Sequence, residues 1–258
     1  MICNYVVEKL KLGWSPEQIA IRLPIDHCGQ TISYEAIYKY IYGQVYRGGN
    51  GTVKKGCEDL RKYLPRRHVR RQKKGFRKAR KLERVILPSI ENRPVEVDLR
   101  KEIGHWEDDT IVSRQSLARV KSINERVSGV VLLGKMLDGI NKESTRVVCE
   151  RLSAIPSSFR KTLTRDRGFE NMRYKEIEAS LNISRFFAHS YCSYERGSNE
   201  NLNGLVRRFF PKKTDFAKVS NEEIQRVEYL LNTRPRKRLG GKTPLEVLLE
   251  RTGVAIDY

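Results

Sequence analysis

From about Val95 to its end, the chain alternates runs of β-branched residues with segments that carry a helical apolar stripe. The helical segment KESTRVVCERLSAI places Val148, Leu152 and Ile155 on one face. The other predicted elements are two strands before it and a strand, a helix and a strand after it: HWEDDTIVSR, RVSGVVLLGKML, KTLTRD, MRYKEIEASL and ISRFFAHSY. Early strands followed by strand and helix in alternation predict an α/β domain built around one sheet.

Residues 1–46 are predicted to form a helical module. In WSPEQIAIRL, Ser15 is an N-cap, Pro16 takes the first helical position and Gln18 completes a capping box. A second helix, SYEAIYKYIYG, begins at Ser33 and ends at Gly43. Two short helices in a basic chain favour a helix-turn-helix-like DNA-binding module. A small helical packing module is the alternative, because the intervening PIDHCGQT is longer than a tight turn.

The net charge is +20, from 51 Lys and Arg against 31 Asp and Glu, and it favours a long polyanion as partner over a merely soluble basic protein. We predict a basic linker at residues 47–94, since its segment 61–84 holds 13 Lys or Arg and one Glu. A solvated charge run is the alternative to nucleic-acid contact. The residues expected to contact the DNA backbone there are Arg66, Arg67, Arg70, Arg71, Lys73 and Lys74.

The cysteines and the apolar runs exclude other classes of protein. Five cysteines without a CxxC pair argue against a disulfide framework and a thiolate zinc site. No apolar run approaches the ~18 residues of a membrane-spanning helix, and no signal peptide opens the chain. We expect a cytoplasmic protein with no membrane partner.

Two aspartates occupy positions where α/β proteins place chemistry. Asp109 lies inside the strand HWEDDTIV, where alternation puts it on one face with Glu107 and turns Asp108 the other way. Asp166 is the last residue of the short strand KTLTRD, and strand ends are where open α/β sheets bind ligands. Taken singly, each Asp is more commonly a turn or cap residue.

The segment ERGSNENLNGLVRRFF predicts an amphipathic helix that presents a carboxylate. Its apolar stripe consists of Leu202, Leu205, Val206 and Phe209. The residues expected on the opposite side are Glu200, Asn203, Gly204 and Arg207. Asn203 and Arg207 suit phosphate contacts, and Gly204 permits close backbone approach. A solvated face is the alternative, but such a face favours better helix formers than Asn and Gly.

Carboxylates without a Cys or His partner indicate hard cations, Mg²⁺ or Mn²⁺, and two such ions support phosphoryl transfer. Other candidates are less convincing on sequence. Glu107 shares the face of Asp109 and is equally a surface strand residue, and His105 and His189 are more typical of hydrogen-bonded structural histidines. Glu170 and Glu195 lie near the acids in sequence, and Trp106 is expected in the core.

Four motifs resemble those of the IS-thirty family of bacterial insertion-sequence transposases: GHWEDDTIV, TRDRG, ERGSNENLNGLVRRFFPKKTDF and LNTRPRKRLGGKTPLEV. WSPEQIA and ISYEAIY extend the resemblance to the first region. The 33 residues between Asp166 and Glu200 match the spacing of this family's second Asp and Glu. The GHWE-x-D block of the family selects Asp109 over Asp108.

The resemblance implies an RNase H-like, retroviral-integrase-like mixed sheet flanked by helices at residues 95–216, with a C-terminal helical extension at 217–258. It implies that Asp109, Asp166 and Glu200 are the catalytic residues and hold two Mg²⁺ (or Mn²⁺) ions. Arg196 joins the expected DNA-binding residues. The implied activity is strand cleavage at the ends of an insertion sequence and transfer of the 3′-hydroxyl into target DNA. The implied assembly is a homodimer or higher oligomer on double-stranded DNA, associated with the bacterial nucleoid.

Two departures from the family pattern keep other functions open. Arg167 stands where the family has Asn after its second Asp, and the usual further helix-turn-helix ahead of this region is missing before Met1. A truncated, non-catalytic DNA-binding repressor is therefore the alternative. A plain RNase H-like nuclease is the third hypothesis. Within 217–258, RPRKRLGGK is interpreted as a basic packing corner that also meets DNA.

Overall fold

The computed structural model describes residues 2–64, 87–113, 115–189, 192, 195 and 197–256. The chain divides into two compact units. One comprises Met1–Val85 together with Arg234–Thr243, and the other comprises Ile86–Thr233 together with Pro244–Tyr258. Among the described residues, no helix combines the length and the apolar character needed to cross a bilayer.

The described part of the N-terminal unit contains three α-helices: α1 (Ile2–Lys11), α2 (Pro16–Asp26) and α3 (Tyr34–Gly43). Their starts confirm the predicted caps. The Ser15 hydroxyl accepts from the Gln18 backbone N–H in a full capping box, and the Ser33 hydroxyl accepts from the backbone N–H of Ala36. α1 was not predicted. The core of this unit is made of Val6, Leu10, Trp14, Ile19, Ile37, Ile41, Leu60 and Leu64.

The N-terminal unit extends beyond the predicted boundary at residue 46, because residues 47–64 pack against its helices. Val45 bridges to Val53, and Leu60 and Leu64 are buried in its core. The linker predicted at 47–94 is therefore corrected at its start. Residues 65–86, which hold most of the basic tract, lie outside the described residues.

The basic loop Arg234–Thr243 also belongs to the N-terminal unit, although it was predicted as part of the C-terminal extension of the core. Gln18 Nε2 donates to the Pro235 carbonyl at 2.8 Å, and Arg22 Nη1 donates to the Gly241 carbonyl at 3.3 Å. These bonds join segments more than 200 residues apart in sequence. The loop is thus a packing corner, and it packs on α2.

The second unit is built on a mixed five-stranded sheet of order β3-β2-β1-β4-β5. The strands are β1 (His105–Val112), β2 (Arg119–Glu125), β3 (Val131–Met136), β4 (Thr162–Arg165) and β5 (Ser184–Phe187). β1, β2 and β3 pair antiparallel, whereas β4 pairs parallel with both β1 and β5. This arrangement of an antiparallel meander and two parallel strands is the predicted RNase H-like α/β fold.

β2 was not predicted, and the second predicted strand, which begins at Arg126, corresponds to β3 and starts ahead of it. The segment RVKSINE carries Lys121, Ser122 and Asn124, which are poor strand residues by propensity. All three are buried, and Lys121 is fully so. β2 is a strand because both of its edges are paired in the middle of the sheet, which local propensity does not report.

Helices cover both faces of the sheet. α5 (Asn141–Ser153), α6 (Tyr174–Leu181) and α9 (Pro244–Thr252) share one hydrophobic cluster with the face that carries Trp106, which is fully buried as predicted. α7 (Gly197–Phe209) and α8 (Asn221–Asn232) share the other cluster with the face that carries Ile111. A short helix, α4 (Val95–Leu99), precedes β1. Asp109 of β1 and Glu200 of α7 therefore belong to the side of the sheet that α7 and α8 cover.

α8 covers the outer edge of β3. Its N-terminus has a capping box formed by Ser220 and Glu223. The Asn232 side chain bonds both backbone groups of Val131, and Glu228 accepts from the Leu133 backbone N–H at 2.5 Å. An open strand edge is a template for unwanted pairing, and these buried side chains satisfy it.

Candidate active site

Asp109 lies on β1, and Asp166 directly follows β4, the parallel neighbour of β1. β1 pairs with β4 in a register that ends with Glu107 opposite Thr164. If that register continued for two more residues, Asp166, which follows the last residue of β4, would stand beside Asp109. Neighbouring strands lie ~4.8 Å apart, so a continued register would start the two predicted acids from adjacent backbone positions.

Two asparagines of helix α7 bond to β1 at Asp108 and Asp109. Asn199 Nδ2 donates to the Asp108 carbonyl at 3.1 Å, and Asn203 Nδ2 donates to Asp109 Oδ2 at 2.5 Å. Asn203 Oδ1 also accepts from the Ser122 hydroxyl at 3.2 Å. The prediction that Asn203 faces away from the sheet is therefore wrong. At ~100° per residue, Asn203 lies close enough to the Leu202–Val206 stripe to reach β1.

Glu200 is exposed on the first turn of α7, between the two anchoring asparagines in sequence. The donor set offered by Asp109, Asp166 and Glu200 is all oxygen, which suits Mg²⁺ or Mn²⁺. In the described ranges, however, no three His, Cys, Asp or Glu side chains lie close enough to hold a metal ion. The fit to a divalent cation thus holds in donor chemistry, with Asp109 on β1 and Asp166 directly after the neighbouring parallel strand β4. The structure does not assemble a three-carboxylate cluster.

Asp108 points to the opposite face of β1, as alternation predicted, and ends in a buried ion cluster. Lys121 Nζ lies 2.8 Å from its Oδ2, and Arg165 Nη2 lies 2.8 Å from the same oxygen. All three side chains are fully buried. Burial alone would raise the pKa of Asp108, but the two cations outweigh burial and hold its pKa at about 2. Asp108 is an ionised structural anchor.

Asp166 is held by groups from the turn that follows β4. Its Oδ1 accepts from the Gly168 backbone N–H at 3.0 Å and from Asn171 Nδ2 at 2.6 Å. A Cβ on Gly168 would lie 2.9 Å from that oxygen and 2.8 Å from Glu170 Oε2. The glycine therefore allows both carboxylates to approach the turn.

The two arginines that raised questions on sequence both donate to backbone carbonyls. Arg167 Nε donates to the Ala188 carbonyl at 3.2 Å, so the residue that departs from the family pattern reaches toward the end of β5. Arg207 Nη2 donates to the Val112 carbonyl at 2.6 Å and Nη1 to the carbonyl of Pro211 at 3.4 Å. A phosphate contact by Arg207 stays a prediction.

The remaining candidates have structural partners. Glu107 is fully buried and ion-paired with Arg126, and burial raises its pKa against the pull of that arginine. His189 Nδ1 lies 2.8 Å from Glu195 Oε1, and His105 Nδ1 lies 2.9 Å from the Thr162 hydroxyl. The predicted DNA-binding residues Arg66, Arg67, Arg70, Arg71, Lys73, Lys74 and Arg196 lie outside the described residues.

Sequence reasoning missed three residues of this site: Asn199, Lys121 and Asn171. Asn171 is almost fully buried, as are the other two. The available signal was the unusual Asn content at the start of α7 and a lysine within a run otherwise compatible with a strand. Neither signal identifies the contact partner.

No family model matches the chain. The chain is 35% identical over 244 residues to the transposase for insertion sequence element IS4351 of Bacteroides fragilis, covering 93% of this chain and 71% of that protein. It is 34% identical over 259 residues to transposase InsI for insertion sequence element IS30A of Escherichia coli K12, covering 97% of this chain and 64% of that protein.

A third relative is the transposase for insertion sequence element IS1086 of Cupriavidus metallidurans, 34% identical over 242 residues, with 92% of this chain and 69% of that protein covered. Among solved structures, the catalytic core domain of BIV integrase matches with a TM-score of 0.46 and 18% identity, over 59% of this chain and 97% of that one. The chain thus spans about two thirds of the length of these curated relatives.

Proposed function

Because the chain belongs to the IS30 (IS-thirty) family of insertion-sequence transposases, we propose that it cleaves DNA at the ends of an insertion sequence and joins the 3′-hydroxyl to target DNA. The observation that supports the proposal is the placement of Asp109 on β1 and of Asp166 directly after β4, the parallel neighbour of β1, with Asn203 of α7 bonded to Asp109. Helix α7 carries Glu200, the third acid of the proposed Asp-Asp-Glu set.

The proposed ligands of the divalent metal are Asp109, Asp166 and Glu200. When bound, two Mg²⁺ or Mn²⁺ ions supply Lewis-acid stabilisation of the attacking and leaving oxygens of a phosphodiester. The protein's own contribution is placement. Asn203 sets the orientation of the Asp109 carboxylate, and the Gly168 backbone N–H with Asn171 sets that of Asp166. Placement of this kind is the larger part of catalysis in phosphoryl transfer.

The proposed partner is double-stranded DNA, in the form of both element ends and target. The net charge of +20 supports it, since neutralising phosphates releases counterions. We assign the backbone contacts to Arg66, Arg67, Arg70, Arg71, Lys73, Lys74, Arg196 and Arg207, and the recognition of element ends to α2 and α3. Joining two ends calls for a homodimer or higher oligomer in the DNA complex, which would act in the cytoplasm at the nucleoid.

One observation favours a second function. Since no three metal-ligating side chains of the described ranges converge, the same scaffold without catalysis would act as a repressor that occupies element ends. Both functions require DNA binding, so binding alone does not separate them.

The test is a cleavage and strand-transfer assay with Mg²⁺ or Mn²⁺ on DNA that carries the native element ends. We expect nicked and joined products from the wild type and none above background from D166A or E200Q. The matched control is E150Q, which removes an exposed carboxylate of α5 that pairs with Arg146. Tight DNA binding by the wild type with no product in either metal would support the repressor instead.

A further inference from the structure

A fully buried lysine on β2 has each of its three donors directed at a separate acceptor. Lys121 Nζ lies 2.8 Å from Asp108 Oδ2, 3.2 Å from the Thr110 hydroxyl and 3.1 Å from Asn171 Oδ1. An ammonium group has three N–H donors and no acceptor, so these contacts use its full capacity. A buried charge is costly without such partners, which leaves Lys121 a single favourable position.

The position of this ammonium group is itself determined by the ion cluster beneath it. Arg165 Nε contacts both Asp108 oxygens, at 3.1 and 3.0 Å, and its Nη2 donates to the Ser144 hydroxyl at 3.1 Å. Asp108 is therefore held between two cations, Arg165 of the neighbouring strand β4 and Lys121 of β2. Low dielectric around the cluster strengthens each of these bonds.

The lysine dictates which way the Asn171 side-chain amide faces. Because an ammonium group can only donate, Asn171 must turn its oxygen to Lys121 and its Nδ2 to the other side. On that side Nδ2 donates to Asp166 Oδ1 at 2.6 Å and to the Asp166 carbonyl at 3.3 Å. Lys121 therefore fixes the orientation of the Asn171 amide, and the amide in turn directs its N–H donor at the Asp166 carboxylate.

We propose that Lys121 and Asn171 are positioning residues for Asp166. The chain Asp108–Lys121–Asn171–Asp166 connects the buried ion cluster to the candidate metal ligand and holds its carboxylate in one orientation. This inference rests on the proposed function, since it assigns the purpose of the orientation to metal binding. Outer-shell hydrogen bonds of this kind commonly account for about 10-fold to 100-fold in metal affinity.

The experiment measures Mn²⁺ binding to the full chain without DNA, by electron paramagnetic resonance titration, together with thermal unfolding. The test variants are N171L, which removes the donor to Asp166, and K121M, which removes the group that orients the amide. T110V is the matched control, because it removes another acceptor of the same lysine and leaves the Asn171–Asp166 bond in place. D166N reports on the ligand itself.

We expect N171L and K121M to raise the Kd for Mn²⁺ about 10-fold or more, while T110V stays within about threefold of the wild type. N171L and K121M change different residues, so the result from either variant that folds is enough to test the positioning role. Mn²⁺ binding by a folded N171L or K121M within about twofold of the wild type, with D166N defective, would overturn the positioning role and leave the proposed function standing. An equal loss in T110V would overturn it too, since the loss would then follow from disruption of the core. Failure of the wild type to bind Mn²⁺, or a D166N that binds normally, would remove the proposed metal site and this inference with it.

Discussion

Asn203 of α7 donates a hydrogen bond of 2.5 Å to Oδ2 of Asp109 on β1. The bond joins the helix that carries Glu200 to the strand that carries the first candidate acid. It therefore controls the relative position of two residues that are 91 apart in the chain and have to act together if the proposed function holds.

Replacement of Asn203 by Leu should lower strand-transfer activity by about 10-fold to 100-fold, because misplaced catalytic groups are costly. Stability should fall by about 1 kcal/mol for the lost hydrogen bonds. Activity assays, DNA-binding titrations and urea unfolding measure these effects. N201A is the control, since Asn201 is exposed on the same helix. A drop in DNA affinity with unchanged turnover of bound DNA would instead return Asn203 to the phosphate-contact role.

Replacement of Asp108 by Asn should destabilise the core unit by about 3–5 kcal/mol at neutral pH, because Lys121 and Arg165 lose their shared buried counter-charge. The folded pKa of about 2 lies below the usual 3.8, so the stabilisation is present above pH 3.8 and is lost as the pH falls through 2. Urea unfolding at neutral pH measures the loss.

The control for Asp108 is D98N. Asp98 also pairs with two arginines, Arg93 and Arg126, but its side chain is 60% exposed. We expect a loss of about 1 kcal/mol or less there. Equal losses in the two variants would show that burial does not set the strength of the Asp108 cluster.

Glu228 should make stability fall as the pH rises from 4.5 to 7. Burial raises its pKa to about 7, with Arg151 and the Leu133 backbone N–H opposing the rise. The folded state therefore binds a proton that the unfolded state has released, and the benefit is lost as the pH passes the folded pKa. E228Q should lessen this dependence by an amount on the order of 2 kcal/mol. Unfolding free energies at pH 4.5 and 8 test this, and an identical slope in E228Q would contradict it.

Gly240 and Gly241 are adjacent in the loop that packs on α2, and substitutions at these two positions distinguish the effect of backbone strain from that of close packing. Both Gly240 and Gly241 have positive φ, of +65° and +87°. A Cβ on Gly240 meets nothing within 4 Å, whereas one on Gly241 lies 3.1 Å from the Ile21 carbonyl oxygen and 3.2 Å from Ile25 Cδ1. G240A should therefore cost about 1 kcal/mol from strain alone, and G241A more.

The measurement for this loop is amide hydrogen exchange of α2 in the full chain. Faster exchange in G241A than in G240A is expected if Arg234–Thr243 supports α2. The same exchange rates in both variants would show that the close contact with Ile21 contributes nothing.

The substitution G204A has opposite expected effects on the stability of α7 and on its contact with DNA. Its missing Cβ would meet nothing within 4 Å, so G204A should stabilise the helix by about 0.5–1 kcal/mol. If the glycine allows close approach of DNA, the same substitution should weaken DNA binding. Calorimetry and a binding titration measure the two effects, and undiminished affinity would exclude the close approach.

Short-range chemistry made the helix starts predictable. Ser15 and Ser33 cap the two helices predicted in the N-terminal module, because a cap is satisfied within three residues of itself. The two faces of β1 were predictable for the same reason, since alternation along a strand is local. β2 was not, because Lys121 and Asn124 suit a strand only where neighbouring strands pair with them.

By itself, therefore, the sequence determined the α/β class, the family, the capped helices and the identity of the candidate acids, all of which depend on residue type and local spacing. Tertiary structure alone decided that Asn203 faces Asp109, that Arg234–Thr243 packs on α2, and that Lys121 orients Asn171 toward Asp166. Each of these contacts joins residues 50 or more apart along the chain or depends on a neighbour that is. The physical reason is that a hydrogen bond needs its partner within ~3 Å, and which distant segments come that close depends on strand order and helix packing.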